Sequence, residues 1–437
     1  MNSNYTLQNY GNGDLAFIDV ILPDNKSYGT KNLHVEVDGR EEKPEKLPAE
    51  NQGDSSNTFR IPFDSRWTQR QKRSLAVEYT FSSPEDSGAL ITLGAESFHL
   101  ASHGWFPVLQ PPKHVLSPYP DPPARTIYSV CVPPSFLVLA GGISRGRKKI
   151  GREVEHGFEL RNGNPAPYIV AGRYVDSSAN RKSGSVVFWT LEQLKDDPTS
   201  AEQRIAAAWE TLQHDFGPLD RNIRVPHIVE SPGLRANPAR EEGPAVASFP
   251  GGALVNPQAL ALGISGEEFI EKVTRALAQG WFNQIYVSPN AAIGMGEGLP
   301  EYATIVIDES RNGEAARRER VRQFLRDYDG ACQQAVEKPL VALTMQDAVE
   351  QRRIGLAKAP LFFIALEDAY GEQPVRRGLA QLLALLRGQG ARYDDLRSAL
   401  EQTTEKNLAS IFRIWLFQKG IPAEFRERYE AAGTEKK

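Results

Sequence analysis

The pattern of apolar and polar positions changes near residue 176 of the chain. Before that point, short apolar runs alternate with clusters of Gly, Pro, Asn and Asp, which is typical of β-strands joined by turns. The predicted strands include Leu15–Leu22, Leu75–Phe81, Ile127–Val132 and Phe136–Ala140, and a Pro-rich loop covers Pro107–Pro123. We therefore predict a β-rich N-terminal domain over residues 1–176.

A second unit begins after this β-rich domain. We predict that Tyr168–Val175 is the last strand of the first domain, that the polar segment Asp176–Gly184 is a linker, and that Ser185–Thr190 opens the second unit. From there the apolar period rises to about 3.6 residues, which indicates amphipathic helices. One apolar stripe consists of Ile205, Ala208, Trp209 and Leu212, and the next of Phe269, Val273 and Leu277.

The second of these helices has a predicted start, and the chain beyond residue 330 has a helical pattern. Ser265 is placed to cap the helix, with Glu268 three residues later completing a capping box. We predict an α+β subdomain over 185–330 and a helical subdomain over 331–430. The helical stripes of the last region are Leu379, Leu382, Leu383 and Leu386, followed by Leu408, Ile411, Phe412 and Trp415.

Composition excludes several classes of protein. Hydrophobic residues make up 40% of the 437 residues and charged residues 24%, a mixture typical of globular domains. The net charge of −4 offers no basic excess for nucleic acid, and no apolar run is long enough to span a bilayer. The polar start is consistent with a cytoplasmic protein, or with a secreted or periplasmic protein whose leader has been removed, so the compartment stays unknown. The oligomeric state is equally open.

Three short patterns could carry chemistry, and each has a simpler explanation. Gly142–Gly146 matches G-x-S-x-G, but a nucleophile elbow needs a helix after the Ser, and a basic hairpin over Arg145–Arg152 is predicted instead. Gly294–Gly298 lacks the strand and Lys of a phosphate loop, and is better explained as a turn before a helix. His99, His103 and His114 flank an aromatic, Pro-rich turn, where structural or surface roles are favoured over metal binding.

Several motifs, in order, resemble those of aminopeptidase N-like zinc metallopeptidases, which have a β-rich N-terminal domain and a thermolysin-like catalytic domain. Ala171-Gly172-Arg173-Tyr174 is similar to the motif that ends the family's first domain. The HDFGP run that ends at Pro218 is similar to the element that begins its second domain. The remaining matches are Trp105-Phe106-Pro107, Val132-Pro133, Gly252–Asn256 against G-A-M-E-N, Trp281-Phe282, Glu297–Tyr302 against E-G-x-A-x-Y, Lys358–Leu361 and Trp415-Leu416.

The resemblance also shows which catalytic groups are missing. Enzymes of this family hold zinc with two His at i and i+4 on one helix face, use the intervening Glu as general base, and add a distal Glu ligand. When Trp281 is aligned with the Trp that follows the family's zinc helix, the two His positions correspond to Arg275 and Gln279, and the general base corresponds to Ala276. All seven His lie at or before His227, so the motif is absent in any register. We therefore expect no metal and no cofactor.

Two further catalytic positions are changed. The G-A-M-E-N Glu, which anchors the substrate amine in the family, corresponds to Val255, and the oxyanion-stabilising Tyr to Leu356. Of the main catalytic set only Glu297 remains. Since Gly251, Gly252, Ala253 and Asn256 are retained, we predict that this loop still presents a strand edge to a peptide, because main-chain pairing needs no zinc.

A remnant cleft is predicted from five residues, Arg275, Gln279, Glu297, Glu301 and Tyr302. One hypothesis is that the Arg275 guanidinium fills the vacated zinc space and pairs with Glu297; the alternative is that Arg275 faces solvent. Glu297 itself is better explained as a helix-terminal or ion-paired carboxylate than as a relic metal ligand.

Three functions remain open at this point. The leading one is a catalytically inactive peptidase-like protein that binds a peptide or a protein partner in the former cleft. The second is an active peptidase or other hydrolase with a relocated site, which needs a new cluster of titratable groups in the cleft. The third is a structural subunit whose cleft is filled by side chains.

Overall fold

The computed structural model describes residues 2–9, 13–22, 29–48, 57–82, 91–100, 107–110, 125–161, 168–178, 185–219, 223–234 and 245–430. Its first half consists of strands: β1 (Asn2–Gln8), β2 (Leu15–Leu22), β3 (Gly29–Val37), β4 (Arg40–Glu42), β5 (Glu45–Lys46), β6 (Asn57–Trp67), β7 (Lys72–Ser82), β8 (Ile91–Leu93), β9 (Ser97–Leu100), β10 (Val108–Gln110), β11 (Arg125–Val132), β12 (Leu137–Ala140), β13 (Ile143–Ile150), β14 (Glu153–Arg161) and β15 (Ile169–Gly172).

Alternating apolar positions build the first core. Ile18 and Val20 of β2 and Leu75 and Val77 of β7 are buried at every second position, because successive strand residues face opposite sides of a sheet. In the described residues the strands form one sheet of order β1-β7-β3-β4 and another of order β10-β2-β6-β5, with a shared apolar cluster. Two smaller sheets follow, β11-β14-β13 and β12-β15-β9-β8.

The second half carries the helices. The strands are β16 (Val175–Asp176), β17 (Val187–Thr190), β18 (His227–Glu230), β19 (Val246–Phe249), β20 (Gly252–Val255), β21 (Tyr286–Val287) and β22 (Gly390–Ala391). The helices are α1 (Thr199–Phe216), α2 (Pro257–Ala261), α3 (Glu267–Phe282), α4 (Gly298–Asn312), α5 (Glu314–Cys332), α6 (Val349–Tyr370), α7 (Glu372–Leu386), α8 (Tyr393–Thr404), α9 (Ala409–Phe417) and α10 (Ala423–Glu430).

One mixed sheet connects the two halves. Its order in the described residues is β16-β17-β18-β20-β19, with β17, β18 and β20 parallel and β19 antiparallel to β20. The helices pack over it around a large apolar core that contains the stripe residues Ile205, Trp209, Phe269 and Val273. The predicted fold class, a β-rich N-terminal region followed by an α+β part with a helical C-terminal half, is confirmed.

Several local predictions need correction. Val108–Gln110, predicted as loop, forms a strand because it pairs with β2; residues 111–123 lie outside the described residues. The predicted strand Tyr168–Val175 is broken after Gly172, and Val175–Asp176 pairs with β17 of the second sheet. The predicted linker therefore begins inside a strand, and its residues 179–184 lie outside the described ones. The domain division at 1–176, 185–330 and 331–430 stays a prediction.

The predicted capping box at the start of α3 is wrong. The N-cap is Gly266, and no side chain caps the helix. Ser265 lies one residue too early, inside a tight turn in which the Gly266 amide donates to the Gly263 carbonyl at 2.9 Å. Glu267 and Glu268 still place negative charge in the first turn, where the helix dipole favours it.

Candidate functional site

Helix α3 carries the positions where the resemblance places the metal ligands. Arg275 and Gln279 lie one turn apart on its half-buried face, and Ala276 is buried. The Arg275 side chain extends to helix α4, where its Nε lies 3.1 Å from Oε1 of Glu301. Arg275 therefore does not simply face solvent. The approach is to Glu301; the predicted pairing of Arg275 with Glu297 stays a prediction.

Glu301 is a mostly buried carboxylate, with 18% of its side chain exposed. Its Oε2 is buried without a hydrogen-bond partner among the described residues. Burial raises the pKa of Glu301, an effect that nearby Arg275 and Arg320 oppose and that Glu297 reinforces. An ionised Glu301 is therefore held at some cost in free energy, which its basic neighbours partly offset.

Glu297 ends a π-helical turn, Ala292–Glu297, that leads directly into α4. The predicted turn over Gly294–Gly298 is therefore helical. Two glycines are needed for packing here: a Cβ on Gly294 would lie 1.9 Å from the Tyr393 hydroxyl, and one on Gly298 would lie 2.6 Å from the Ala359 Cβ. The glycines thus serve close packing against α6 and α8, and the segment is not a phosphate loop.

Tyr302 does not belong to the predicted cleft. Its side chain is fully buried, and its hydroxyl donates to Oε1 of Glu367 at 2.6 Å. Burial, together with the Glu367 carboxylate, raises the pKa of Tyr302 well above its ordinary value. Consecutive helix residues point about 100° apart, so Glu301 can face Arg275 while Tyr302 faces the core. The placement of Tyr302 in the cleft was wrong for this reason.

Glu367 is the centre of a buried ionic network. It also accepts from Arg317 Nη1 at 2.7 Å and from Arg376 Nε at 2.7 Å. Arg376 further contacts Asp215 and Glu309, so the network connects α1, α4, α5, α6 and α7. A polar cavity of about 340 Å³ lies beside it, and none of its lining residues belongs to the predicted cleft; they are Glu309, Glu314, Arg317, Arg318, Asp368, Glu372, Arg428 and Tyr429.

The predicted peptide-binding loop, Gly251–Asn256, does not present a strand edge. Its residues Gly252–Val255 form β20, which pairs with β18 on one side and β19 on the other. Ala253 and Val255 are buried in the core, and the Asn256 side chain caps α2 by accepting from the Ala259 amide at 2.8 Å. The prediction was wrong because the residues before this loop form a hairpin with it.

Glycines 251 and 252 make that hairpin possible. Gly251 has φ +92° in the turn between β19 and β20, a conformation that side chains rarely adopt. A Cβ on Gly252 would lie 2.1 Å from the His227 carbonyl oxygen. Their role in this chain is a tight turn and close strand packing.

Strand β19 is the edge of the sheet in the described part of the chain. The Asn256 amide donates to the Ala245 carbonyl at 3.0 Å, which fixes the alternation of the antiparallel ladder. By that alternation Ala247 and Phe249 bond to β20, whereas the backbone groups of Val246 and Ser248 point to the free edge. Sequence reasoning missed this strand, although Pro250-Gly251 between two apolar runs is a turn signal.

Helix α3 lies against this edge strand. A Cβ on Gly280 would lie 2.6 Å from the Phe249 carbonyl oxygen, so the helix and strand backbones are in close contact there. The same helix carries Arg275 five residues before Gly280 and Gln279 one residue before it. The free edge of β19 and the positions that align with the family's metal ligands are therefore two parts of one region.

The residues at the positions that align with the family's metal ligands do not fit zinc. A guanidinium carries only donors and cannot be a ligand, and a Gln amide with one carboxylate is a poor donor set for this ion. Within the ranges that the structure describes, no group of three or more His, Cys, Asp or Glu side chains is placed to hold a metal ion.

Two alternative nucleophile sites are disfavoured by their surroundings. Ser144 of the G-x-S-x-G pattern lies in β13, which continues into another strand through a turn, so the elbow geometry is absent. Nδ1 of His99 forms a 2.8 Å hydrogen bond with the Ser231 hydroxyl, but both side chains are buried. This pair connects β9 to the end of β18. His103 and His114 lie outside the described residues.

The fold matches known zinc metallopeptidases. The M1 zinc metallopeptidase from Deinococcus radiodurans superposes with a TM-score of 0.66 at 15% identity, covering 96% of this chain and 89% of that one. A mutant of a two-domain M1 zinc metallopeptidase, bound to L-arginine, superposes with a TM-score of 0.66 at 16% identity. The match covers 96% of this chain and 90% of that one. The native yeast LTA4 hydrolase gives 0.67 at 12%, with 97% and 65% covered.

These likenesses establish that the chain has the fold of M1 zinc metallopeptidases. No known family profile matches the sequence, and no curated protein does. In the described helices, none is long and apolar enough to cross a membrane.

Proposed function

We propose that this chain is a catalytically inactive peptidase-like protein that binds an extended peptide segment along β19. The observation that carries the proposal is the free edge of Val246–Phe249 beside helix α3, whose former ligand positions are Arg275 and Gln279. Strand addition to such an edge supplies main-chain hydrogen bonds without any metal.

The chemistry of the former metal site supports inactivity. The positive charge near Glu301 is supplied by Arg275 and Arg320, permanent cations that activate no water. In the family resemblance the general base position is Ala276, which has no titratable group. Zinc-bound water supplies most of the rate of such enzymes, so its loss removes the known route.

The cleft would favour peptides that carry a donor group. Glu301 has a buried oxygen with no partner in the described residues, and Glu297 is close enough to raise its pKa. An unsatisfied buried acceptor costs about 1–3 kcal/mol. A shift of the Glu301 side chain that exposes this oxygen would let it accept from an ammonium or amide of a bound segment.

The edge can be tested by a matched pair of variants. Peptides selected from a random heptapeptide library against the full chain would be resynthesised and measured by fluorescence polarisation against Ser248→Pro and Ser248→Ala. Proline removes an outward N–H and leaves the ladder to β20 intact, whereas alanine keeps that N–H. We expect binding to be lost only with Ser248→Pro. Equal binding by both variants would exclude the edge.

Inactivity is tested separately. We expect purified protein to release no coumarin from aminoacyl-coumarin substrates, with or without added zinc, and to contain no stoichiometric zinc. Activity that disappears with a chelator, or that survives it but is lost in Glu297→Ala, would establish the active hydrolase instead.

A further inference from the structure

Strand β13 is a second free edge, far along the sequence from the cleft. It pairs with β14 only, and in the described residues it is the outer strand of the sheet β11-β14-β13. All eight of its residues, Ile143–Ile150, are exposed. A bulge between Ser144 and Gly146 precedes a regular stretch from Gly146 to Ile150. An exposed edge of this length is open to pairing with another strand.

The strand carries a concentrated positive charge. Arg145, Arg147, Lys148 and Lys149 lie within it, on a protein whose net charge is −4. Arg145 lies 3.7 Å from Glu159. Within the described ranges the other three cations form no ion pair, whereas Arg317 and Arg376 of the helical half are paired.

The cations occupy both faces of the strand. The register places Lys148 opposite Glu155, on the face that also carries Ile150 opposite Glu153. Arg147 and Lys149 lie opposite His156 and Val154, on the other face. A strand added beside β13 would have side chains on both faces of the sheet, and on each face they would lie next to a cation of β13.

Apolar positions flank the charged stretch. Ile143 is 38% exposed and Ile150 46% exposed, and Ile127 on β11, 53% exposed, lies in the same row as Ile143. Ile150 lies seven positions after Ile143, roughly 23 Å along a strand. Each end of the strand thus offers an apolar contact.

Positive charge on an edge strand has two consequences. It opposes pairing between two copies of β13, because like charges would lie directly opposite each other. It favours an incoming strand of opposite charge, since complementary charge guides association and sets register. Main-chain hydrogen bonds would supply the affinity that scattered surface charges do not.

We propose that β13 binds an extended acidic segment of a partner protein by strand addition. The segment pairs its main chain with Gly146–Ile150, its carboxylates contact Arg147, Lys148 and Lys149, and apolar residues at its ends contact Ile143 and Ile150. This surface is distinct from β19 and does not depend on peptide binding there.

The test uses the full chain and a fluorescein-labelled peptide of sequence IETEVDI. We expect saturable binding that weakens about tenfold or more in Arg147→Glu/Lys149→Glu. Lys406→Glu/Lys419→Glu, a reversal of the same size at exposed positions of the helical half, is expected to bind as the unmodified chain does. The same peptide with alternate main-chain nitrogens methylated keeps its charge but cannot pair, and is expected not to bind.

Three results would overturn the proposal. Equal binding of the methylated peptide would show attraction by charge without strand addition. Equal loss in the control reversal would show a general charge effect. Binding of phosphatidylserine vesicles or a single-stranded oligonucleotide, but not of the peptide, would assign the basic strand to a lipid surface or a nucleic acid.

Discussion

The hydroxyl of Tyr302 donates a 2.6 Å hydrogen bond to Glu367, and so connects α4, the helix that follows Glu297, to α6. Glu367 is fully buried and accepts from two arginines as well. The position of α4 therefore depends on a buried ionic network that α4 shares with α5, α6 and α7.

Glu367→Gln is expected to destabilise the protein strongly. It leaves Arg317 and Arg376 buried with one carboxylate fewer, and breaking a buried pair costs about 3–5 kcal/mol. Tyr302→Phe leaves Glu367 bonded to both arginines and is expected to cost only about 1 kcal/mol. Urea unfolding of the two variants measures the difference. Equal losses would show that Glu367 is not the centre of the network.

Glu301→Gln is expected to give a pH-dependent gain in stability. Because burial raises the pKa of Glu301, the folded state keeps its proton at pH values where the unfolded chain has lost it. The stability of the unmodified chain therefore falls as pH rises from the ordinary Glu value through the raised one.

Gln does not titrate, so the variant gains stability relative to the unmodified chain as the pH rises through that window. Unfolding midpoints at pH 4 and pH 7 measure the gain, with the exposed Glu268→Gln as control. A variant less stable than the unmodified chain at pH 7 would show that attraction to Arg275 outweighs burial.

Gly280→Ala is expected to destabilise the protein by about 1–3 kcal/mol and to weaken peptide binding to β19. The added Cβ would lie 2.6 Å from the Phe249 carbonyl oxygen, so strand or helix must shift. Gly330→Ala is the matched control: it lies inside α5, and a Cβ there meets nothing within 4 Å. That control is expected to be neutral or slightly stabilising.

Introducing the family's two His and one Glu on α3 is expected to create a zinc site. In Arg275→His/Ala276→Glu/Gln279→His, two imidazoles stand one turn apart on α3, with Glu297 as the third ligand. Metal analysis after dialysis is expected to give one zinc per chain, against none for Gln279→His alone. Adding Glu297→Ala is expected to weaken binding by about tenfold or more. A triple variant without zinc would mean that Glu297 does not reach this face of α3.

Periodicity was sufficient to predict the architecture but not the site. The stripes at Ile205 and Phe269 are buried as expected, since burial of an apolar face is a local property of the sequence. The two site errors have non-local causes. Whether Gly252–Val255 is an edge depends on which strands flank it, and Tyr302 is placed by the three-dimensional position of Glu367.

The sequence was sufficient to predict that Arg275 contacts a carboxylate, since a guanidinium beside carboxylates pairs with one of them. It was not sufficient to predict which carboxylate. The contact of Arg275 with Glu301 depends on the relative rotation of α3 and α4. That rotation is set by packing over many residues, and no motif encodes it.

The ring of Tyr168 packs against that of Phe249, with centroids 5.3 Å apart, inside a cluster that also holds Val170, Val229 and Leu254. Residues on both sides of the 179–184 segment thus contribute to one interior. Severing the chain there would leave each fragment with an uncovered apolar surface. For expression, dissection or fusion, the two halves should be handled as a single cooperative body, whatever their separate sequence signatures suggest.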